Sequence, residues 1–150
     1  MSFNPVDASS PEFRAREVLS VLIRDFAEGT KIVYTETEEG FELTVPLPGD
    51  RKQKVFITAD RRDSDGEELF QIFTICAEAN PDLFAFALKL NMEIDYGAIA
   101  IKEIYGKDHL VIVDTQLVRT AQPVEIEKSV ITLAEVGDDI EQILTGEDLR

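Results

Sequence analysis

The sequence has few of the residues that most often build catalytic or metal sites. Its 150 residues include one cysteine, one histidine and no tryptophan. The lone Cys76 cannot form an intrachain disulfide, and one histidine with one cysteine cannot supply the clustered ligands of a zinc site. We therefore expect no metal and no cofactor, and the chain has no recognisable catalytic constellation.

Basic residues are also scarce. The chain has 15 Lys and Arg against 30 Asp and Glu, for a formal net charge of −15, and the carboxylates are spread through every segment. Nucleic acids and anionic membranes attract proteins through Lys and Arg, so the sequence predicts neither as a partner. In one interpretation the acidity maintains solubility, and in the other it complements a basic protein partner.

Long apolar runs are missing as well. No segment approaches the roughly 20 apolar residues that span a bilayer. Residues 1–11 combine neither a basic start nor an apolar stretch of signal-peptide length. Together with the single cysteine, these absences predict a cytoplasmic location. The composition, 44% hydrophobic and 30% charged, is that of an ordinary globular domain.

The apolar pattern changes period several times along the chain and predicts an α+β fold. Helical spacing begins after Ser10 and Pro11 and ends at Gly29; four β-prone runs follow, then a helix opened by Asn80 and Pro81, two more strands, and a final helix opened by Pro123. The predicted order is α-β-β-β-β-α-β-β-α, an antiparallel sheet flanked by helices. We predict that residues 10–146 form one domain, with a flexible lead at 1–9 and a frayed end at 147–150.

Two details of this pattern concern packing. The fourth predicted strand, residues 69–77, has apolar groups on both faces, which predicts a central place in the sheet under a cover of helices. Gly137 interrupts the apolar stripe of the last helix, where it either kinks the helix or permits a close approach. Gly146 is expected to end that helix.

The candidates for chemistry have simpler interpretations. In the acidic loop at 60–68, Asp63, Asp65 and Gly66 imitate part of a calcium-binding loop, but the first and last ligand positions are Arg61 and Ile72, so a solvated loop is favoured. His109 is predicted in an exposed turn beside Asp108. Cys76 is predicted inside an apolar strand, where a thiol is inert. The dispersed carboxylates Asp95, Glu103 and Asp114 have no spacing that establishes an enzyme.

The main basic concentration lies around the third predicted strand. It consists of Arg51, Lys52, Lys54, Arg61 and Arg62. These side chains could receive an acidic peptide, although balancing the neighbouring carboxylates is the favoured interpretation.

A family resemblance rests on the element order and on residues 88–99, which read Leu-Lys-Leu-Asn-Met-Glu-Ile-Asp-Tyr-Gly-Ala-Ile. Together they resemble the YbjN-like branch of the type III secretion chaperone-like superfamily. In that group, a helix ending in a Leu-x-x-Asn-like segment precedes a small-residue strand opening, a hairpin and an amphipathic helix. This chain departs from the usual chaperone arrangement by placing four strands, not three, before the second helix.

The resemblance implies a non-enzymatic protein-interaction module, a homodimer that binds an extended segment of a client protein. The candidate dimer interface is Phe84, Phe86 and Leu90 of the second helix. The candidate partner-binding residues are Phe13, Phe41 and Leu43. Ordinary core packing is the competing interpretation of each residue, and a small-molecule-binding domain with a pocket between sheet and helix is the alternative function.

Overall fold

A computed structural model describes residues 11–148, and the side chains of residues 14–144. The elements are α1 (Pro11–Ala27), β1 (Val33–Glu36), β2 (Gly40–Leu47), β3 (Arg51–Arg62), β4 (Glu68–Glu78), α2 (Phe84–Leu90), β5 (Ala98–Ile104), β6 (Lys107–Leu117) and α3 (Pro123–Asp148). Short 3-10 turns, Pro81–Leu83 and Asn91–Glu93, flank α2. The predicted α+β class and element order are confirmed.

The six strands form one antiparallel sheet in the order β1-β2-β3-β4-β6-β5. Strands β1 to β4 pair in chain order, each antiparallel to the next. The α2 segment then carries the chain to the far edge of the sheet, where β5 lies. A tight turn leads from β5 into β6, which pairs with both β5 and β4. Gly40 opens β2 at a φ of +153°, and an added Cβ there would lie 1.9 Å from the carbonyl oxygen of Ile57, so no other residue fits.

Helices α1 and α3 cover one face of the sheet and make the core with it. Alternate residues of the strands point to this face, as strand geometry requires. Fully buried members include Leu43, Ile57, Phe70 and Ile112, which meet Leu19 and Ile23 of α1 and Ile126, Val130 and Leu133 of α3. Two polar pairs hold α3 on the sheet. Arg51 donates to the carboxylate of Asp138 at 2.7 Å, and Ser129 donates to the carboxylate of Asp114 at 2.7 Å.

We call the opposite side of the sheet the open face. Its centre consists of Phe56, Phe73, Ile75, Val111 and Val113, which the strand register places side by side. The prediction that helices cover β4 is therefore correct for one face and wrong for the other. The reason lies in the topology: α1 and α3 pack together on a single side, and α2 lies against Ile99 and Leu110, which belong to that same side.

Gly137 permits a close approach of α3 to the sheet. A Cβ at this position would lie 2.7 Å from Cγ2 of Thr74, which is fully buried on β4. The hydroxyl of Thr74 donates to the carbonyl of Lys54 at 2.6 Å and accepts from the amide of Gln53 at 2.8 Å. At its C-terminal end, α3 continues through Gly146, where we expected it to stop, to Asp148.

Candidate functional site

The α2 segment begins as its sequence predicts. The side chain of Asn80 accepts a hydrogen bond from the backbone N–H of Asp82 at 3.0 Å, and Pro81 takes the first position, where a missing N–H has no consequence. One 3-10 turn then leads into the seven residues of α2. This helix is too short to be stable alone, so its position depends on packing.

Helix α2 packs on β5 through one side only. Ala87 is its one buried residue, while Phe84 and Leu90 are half-buried against the core. A groove of about 240 Å³ runs between the helix and the strand. Its lining is entirely uncharged: Phe84, Ala87, Leu88, Ile99, Ala100, Ile101 and Leu110.

Asn91 ties the end of α2 to β5. Its side-chain oxygen accepts from the backbone N–H of Ile99 at 2.6 Å, and its amide nitrogen lies 3.4 Å from the carbonyl oxygen of Ile99. The side chain thus replaces a neighbouring strand at this point of the sheet edge. Gly97, two residues before Ile99, has a φ of +81°, and a Cβ added to Gly97 would lie 2.7 Å from the carbonyl oxygen of Val113. These contacts explain the Leu-x-x-Asn segment and the small residues that follow it.

The predicted dimer residues divide between two roles. Phe86 is exposed, Phe84 lines the groove, and Leu90 contributes mainly to the core. Two further residues escaped the sequence prediction: Leu88 is 67% exposed and Ile101 is 48% exposed. The helical period gave a signal for Leu88, because it lies on the opposite side of α2 from Ala87 and Leu90. Nothing in the sequence placed Ile101 beside it.

The predicted client-binding residues lie elsewhere. Phe41 and Leu43 are core residues of β2, 2% and 0% exposed under α1 and α3, so a partner cannot reach them on the folded domain. Their apolar alternation marks the inward face of a strand, and the core interpretation corrects the prediction for both. Phe13 lies outside the residues whose side chains the structure describes.

The residues considered as possible catalytic or metal-binding groups have structural roles in the fold. Burial raises the pKa of Cys76 to about 12, with a smaller contribution from the carboxylate of Glu141. Asp63 accepts from two backbone N–H groups of its own loop, those of Asp65 and Glu67, both at 2.9 Å. His109, expected in an exposed turn, is a residue of β6 and is half-buried, because the turn itself is Tyr105 and Gly106.

The described residues contain no cluster of metal ligands and no membrane-spanning helix. Within 11–148, no three His, Cys, Asp or Glu side chains are grouped closely enough to hold a metal ion. None of the helices in that range is both long and apolar enough to cross a membrane.

The basic residues around β3 are split between the two faces of the sheet. Arg51 faces α3, where the hydrogen bond to Asp138 raises the pKa of the guanidinium. Arg62 pairs with Glu68 in the strand register on the same side and donates to the carbonyl of Gly66 at 2.8 Å. Lys54 points the other way and forms an ion pair with Glu42 on the open face. One sequence cluster therefore serves two surfaces.

Comparison with known proteins identifies the fold. No protein-family model and no curated protein matches the chain, so the YbjN-like part of the resemblance stays a prediction. Among solved structures, a chain of the HopA1–SchA chaperone–effector complex matches 92% of this chain and 99% of its own length, with 12% identity and a TM-score of 0.54. The Yersinia pestis type III secretion chaperone SycH, solved in complex with a stable fragment of YscM2, matches 81% of this chain and 98% of its own, with 12% identity and a TM-score of 0.49. The chain therefore has the type III secretion chaperone-like fold that its sequence resemblance predicted.

Proposed function

We propose that this chain is a non-enzymatic protein-binding module that works as a homodimer and binds a segment of a client protein. The observation that carries the proposal is the apolar surface of α2 and β5, which we call the α2–β5 surface and define by Phe84, Leu88 and Ile101, three residues that line one groove. Large apolar side chains left in water cost free energy that association recovers, at about 25 cal/mol per Å². A contiguous patch of this kind marks an interaction site.

The charge distribution favours a second copy as the occupant of this surface. Each copy carries a net charge of −15, so most contacts between two copies bring like charges together. The groove between α2 and β5 is lined only by uncharged residues. Two copies can therefore meet there without burying a carboxylate against another carboxylate.

The edge of β5 supports the same arrangement. Both backbone groups of Ile99 point away from β6, because they bond to the side chain of Asn91. By strand alternation, Ile101 and Glu103 direct their backbone groups to the same outer edge. An edge strand pairs readily with its own copy in antiparallel fashion about a twofold axis, which is the self-complementary contact of a symmetric dimer.

Client binding is the second half of the proposal. It is supported by the fold, which this chain shares with a protein of a chaperone–effector complex, and by the lack of a recognisable catalytic constellation in the sequence. Fold alone does not fix function, so this support concerns protein binding in general and names no client. The cytoplasmic location expected from the sequence fits such a module and remains a prediction.

The experiment that tests the dimer compares two matched variants by light scattering after gel filtration. Leu88→Glu places a charge on the α2–β5 surface, and Val33→Glu places the same charge on β1, at the other edge of the sheet; the two residues are 67% and 66% exposed. We expect the wild type and Val33→Glu to have twice the chain mass of 16.8 kDa, and Leu88→Glu to have that mass once. A monomeric wild type, or equal dissociation of both variants, would contradict the proposal.

A small-molecule-binding domain is the alternative, and the uncharged groove is the observation that favours it. At about 240 Å³ the groove is smaller than the usual ligand pocket of roughly 300–1,000 Å³. A small apolar ligand that binds the monomeric Leu88→Glu variant as tightly as the wild type would favour this alternative, since it would show a pocket that functions without a partner.

A further inference from the structure

The open face carries a continuous apolar band across its central strands. The rings of Phe56 on β3 and Phe73 on β4 stack, with centroids 5.2 Å apart and planes 25° from parallel. In the strand register this row continues through Val113 on β6 to Ala98 on β5. A second row contains Ile75, Val111 and Ala100. Phe56, Phe73, Ile75 and Val113 are half-buried and Val111 is 2% exposed, so the band is accessible chiefly at the two phenylalanines, Ile75 and Val113.

The charges on this face have the opposite sign to those of the whole chain. The strand register places five cationic side chains and two carboxylates on the open face, a net charge of +3; they are Lys52, Lys54, Arg61, Lys102 and Lys107 with Glu42 and Glu78. Asp60, in the irregular step between Thr58 and Arg61, would lower this to +2. The chain as a whole is at −15. A cationic sheet face on so acidic a protein selects for an anionic occupant.

Three of the five cations have no carboxylate partner among the side chains that the structure describes. Lys54 pairs with Glu42, and Lys107 pairs with Glu78 at 3.2 Å. Across residues 14–144, by contrast, Lys52, Arg61 and Lys102 form no ion pair. The ammonium of Lys102 instead lies over the ring of Phe73, 5.1 Å from its centroid. These cations therefore lie on the same face as the apolar band, with Lys102 directly against it, and they can meet carboxylates of a partner there.

The occupant has to be helical for reasons of backbone hydrogen bonding. The interior strands β2, β3, β4 and β6 already pair on both sides. An extended segment lying on their face would bury its own N–H and C=O groups without partners, which is costly, whereas a helix satisfies these groups internally. Six strands at about 4.8 Å spacing span roughly 24 Å, which about 16 helical residues would cross at 1.5 Å each.

We propose that the open face binds an acidic amphipathic helix of a client protein, with apolar side chains on the Phe56–Phe73 band and carboxylates against Lys52, Arg61 and Lys102. This inference rests on the proposed protein-binding function and gives its client a chemistry and a surface. That surface is distinct from the α2–β5 surface, so the two proposals can fail separately.

The test uses two synthetic helical peptides of roughly 16 residues. Both carry the same leucine stripe; one has glutamates on its flanks and the other has lysines. Each is titrated by fluorescence anisotropy into the wild type and into two triple variants of equal charge change. One variant, Lys52→Glu with Arg61→Glu and Lys102→Glu, alters the open face; the control, Arg14→Glu with Arg24→Glu and Lys128→Glu, alters exposed positions on α1 and α3.

We expect saturable binding of the acidic peptide to the wild type, weakened by salt, and about tenfold or greater loss in the open-face variant, because three attractions become repulsions. The control variant should lose much less. Absence of saturable binding by the acidic peptide, equal affinity for both peptides, or equal loss in both variants would overturn the inference. The mass of the open-face variant is measured in parallel: a retained dimer with lost peptide binding supports the inference, and a dissociated one assigns the open face to self-association instead.

Discussion

Replacing Gly137 by alanine should lower stability, although alanine is the better helix former. In an exposed helix interior, this change stabilises by about 1 kcal/mol. In α3 the new Cβ would lie 2.7 Å from Cγ2 of Thr74, closer than two carbons can approach. The sign of the effect therefore depends on whether Thr74 can move.

Thr74 is held in place by its hydroxyl and by its branching. The hydroxyl makes hydrogen bonds of 2.6 Å to the carbonyl of Lys54 and 2.8 Å from the amide of Gln53, and a rotation about χ1 would break both. Overpacking a core contact of this kind costs about 1–3 kcal/mol. After the gain in helix propensity, we expect Gly137→Ala to reduce the free energy of unfolding by about 1 kcal/mol.

Thr74→Ser provides the critical comparison, because it removes Cγ2 and keeps the hydroxyl. The nearest remaining atoms would be Nε2 of Gln53 at 3.5 Å and Oγ1 at position 74 at 3.7 Å, which are ordinary contacts. In the Thr74→Ser background, Gly137→Ala should therefore stabilise by about 1 kcal/mol, and the two substitutions should show a coupling of about 2 kcal/mol.

Urea denaturation of the four proteins in this cycle measures the coupling. Gly29→Ala is the control, since an added Cβ there has no atom within 4 Å, and its effect should be the same in both backgrounds. If Gly137→Ala stabilises the wild type as much as it stabilises Thr74→Ser, the close approach of α3 to β4 is refuted.

Two further predictions concern a buried thiol and a side chain at the sheet edge. The pKa of Cys76, raised by burial from an ordinary value of 9.0 to about 12, means that the folded protein keeps its thiol proton at pH values where the unfolded chain loses it. The resulting stabilisation is present below about pH 9 and is lost between about pH 9 and pH 12. Urea titrations over this range should show the free energy of unfolding of the wild type falling, relative to Cys76→Ala, by up to about 1.4 kcal/mol per pH unit. Parallel pH profiles of the two proteins would contradict this. Asn91→Ala removes both hydrogen bonds to Ile99 and should lower the free energy of unfolding by about 1–2 kcal/mol. It should also speed amide exchange at Ile99, which hydrogen-exchange NMR measures. Unchanged protection at Ile99 would show that the side chain does not hold β5 in place.

Much of the fold was predictable because local signals agreed with the tertiary structure. The helix-start signal of Asn80 and Pro81 correctly placed the beginning of the α2 segment. Apolar alternation in residues 41–47 correctly identified a strand with one buried face. The ends of β3 were less predictable. Arg51, Arg61 and Arg62 belong to the strand although their side chains have no apolar alternation, since the ladder of backbone hydrogen bonds extends beyond the apolar core.

The candidate site was only partly predictable for a different reason. The sequence pointed to α2 as an apolar helix but ranked Leu90 above Leu88, and it offered Phe41 and Leu43 as surface residues. A periodic apolar stripe shows that one face of an element is apolar, but it does not show whether that face is buried in the core or exposed for a partner. That choice depends on what packs above it, and here α1 and α3 cover β2 while Leu88 remains 67% exposed.

The sequence by itself determined the order and type of the elements, the acidity of the chain and its scarcity of cysteine and histidine, because these depend on composition and on contacts between near neighbours. Only the tertiary structure decided which sheet face stayed open and which strands lay at the edges. It also placed Lys52, Arg61 and Lys102 on the same sheet face as Phe56 and Phe73. These features arise from the pairing of strands far apart in the chain, and the energy of such pairing depends on the whole packed arrangement and not on any local run of residues.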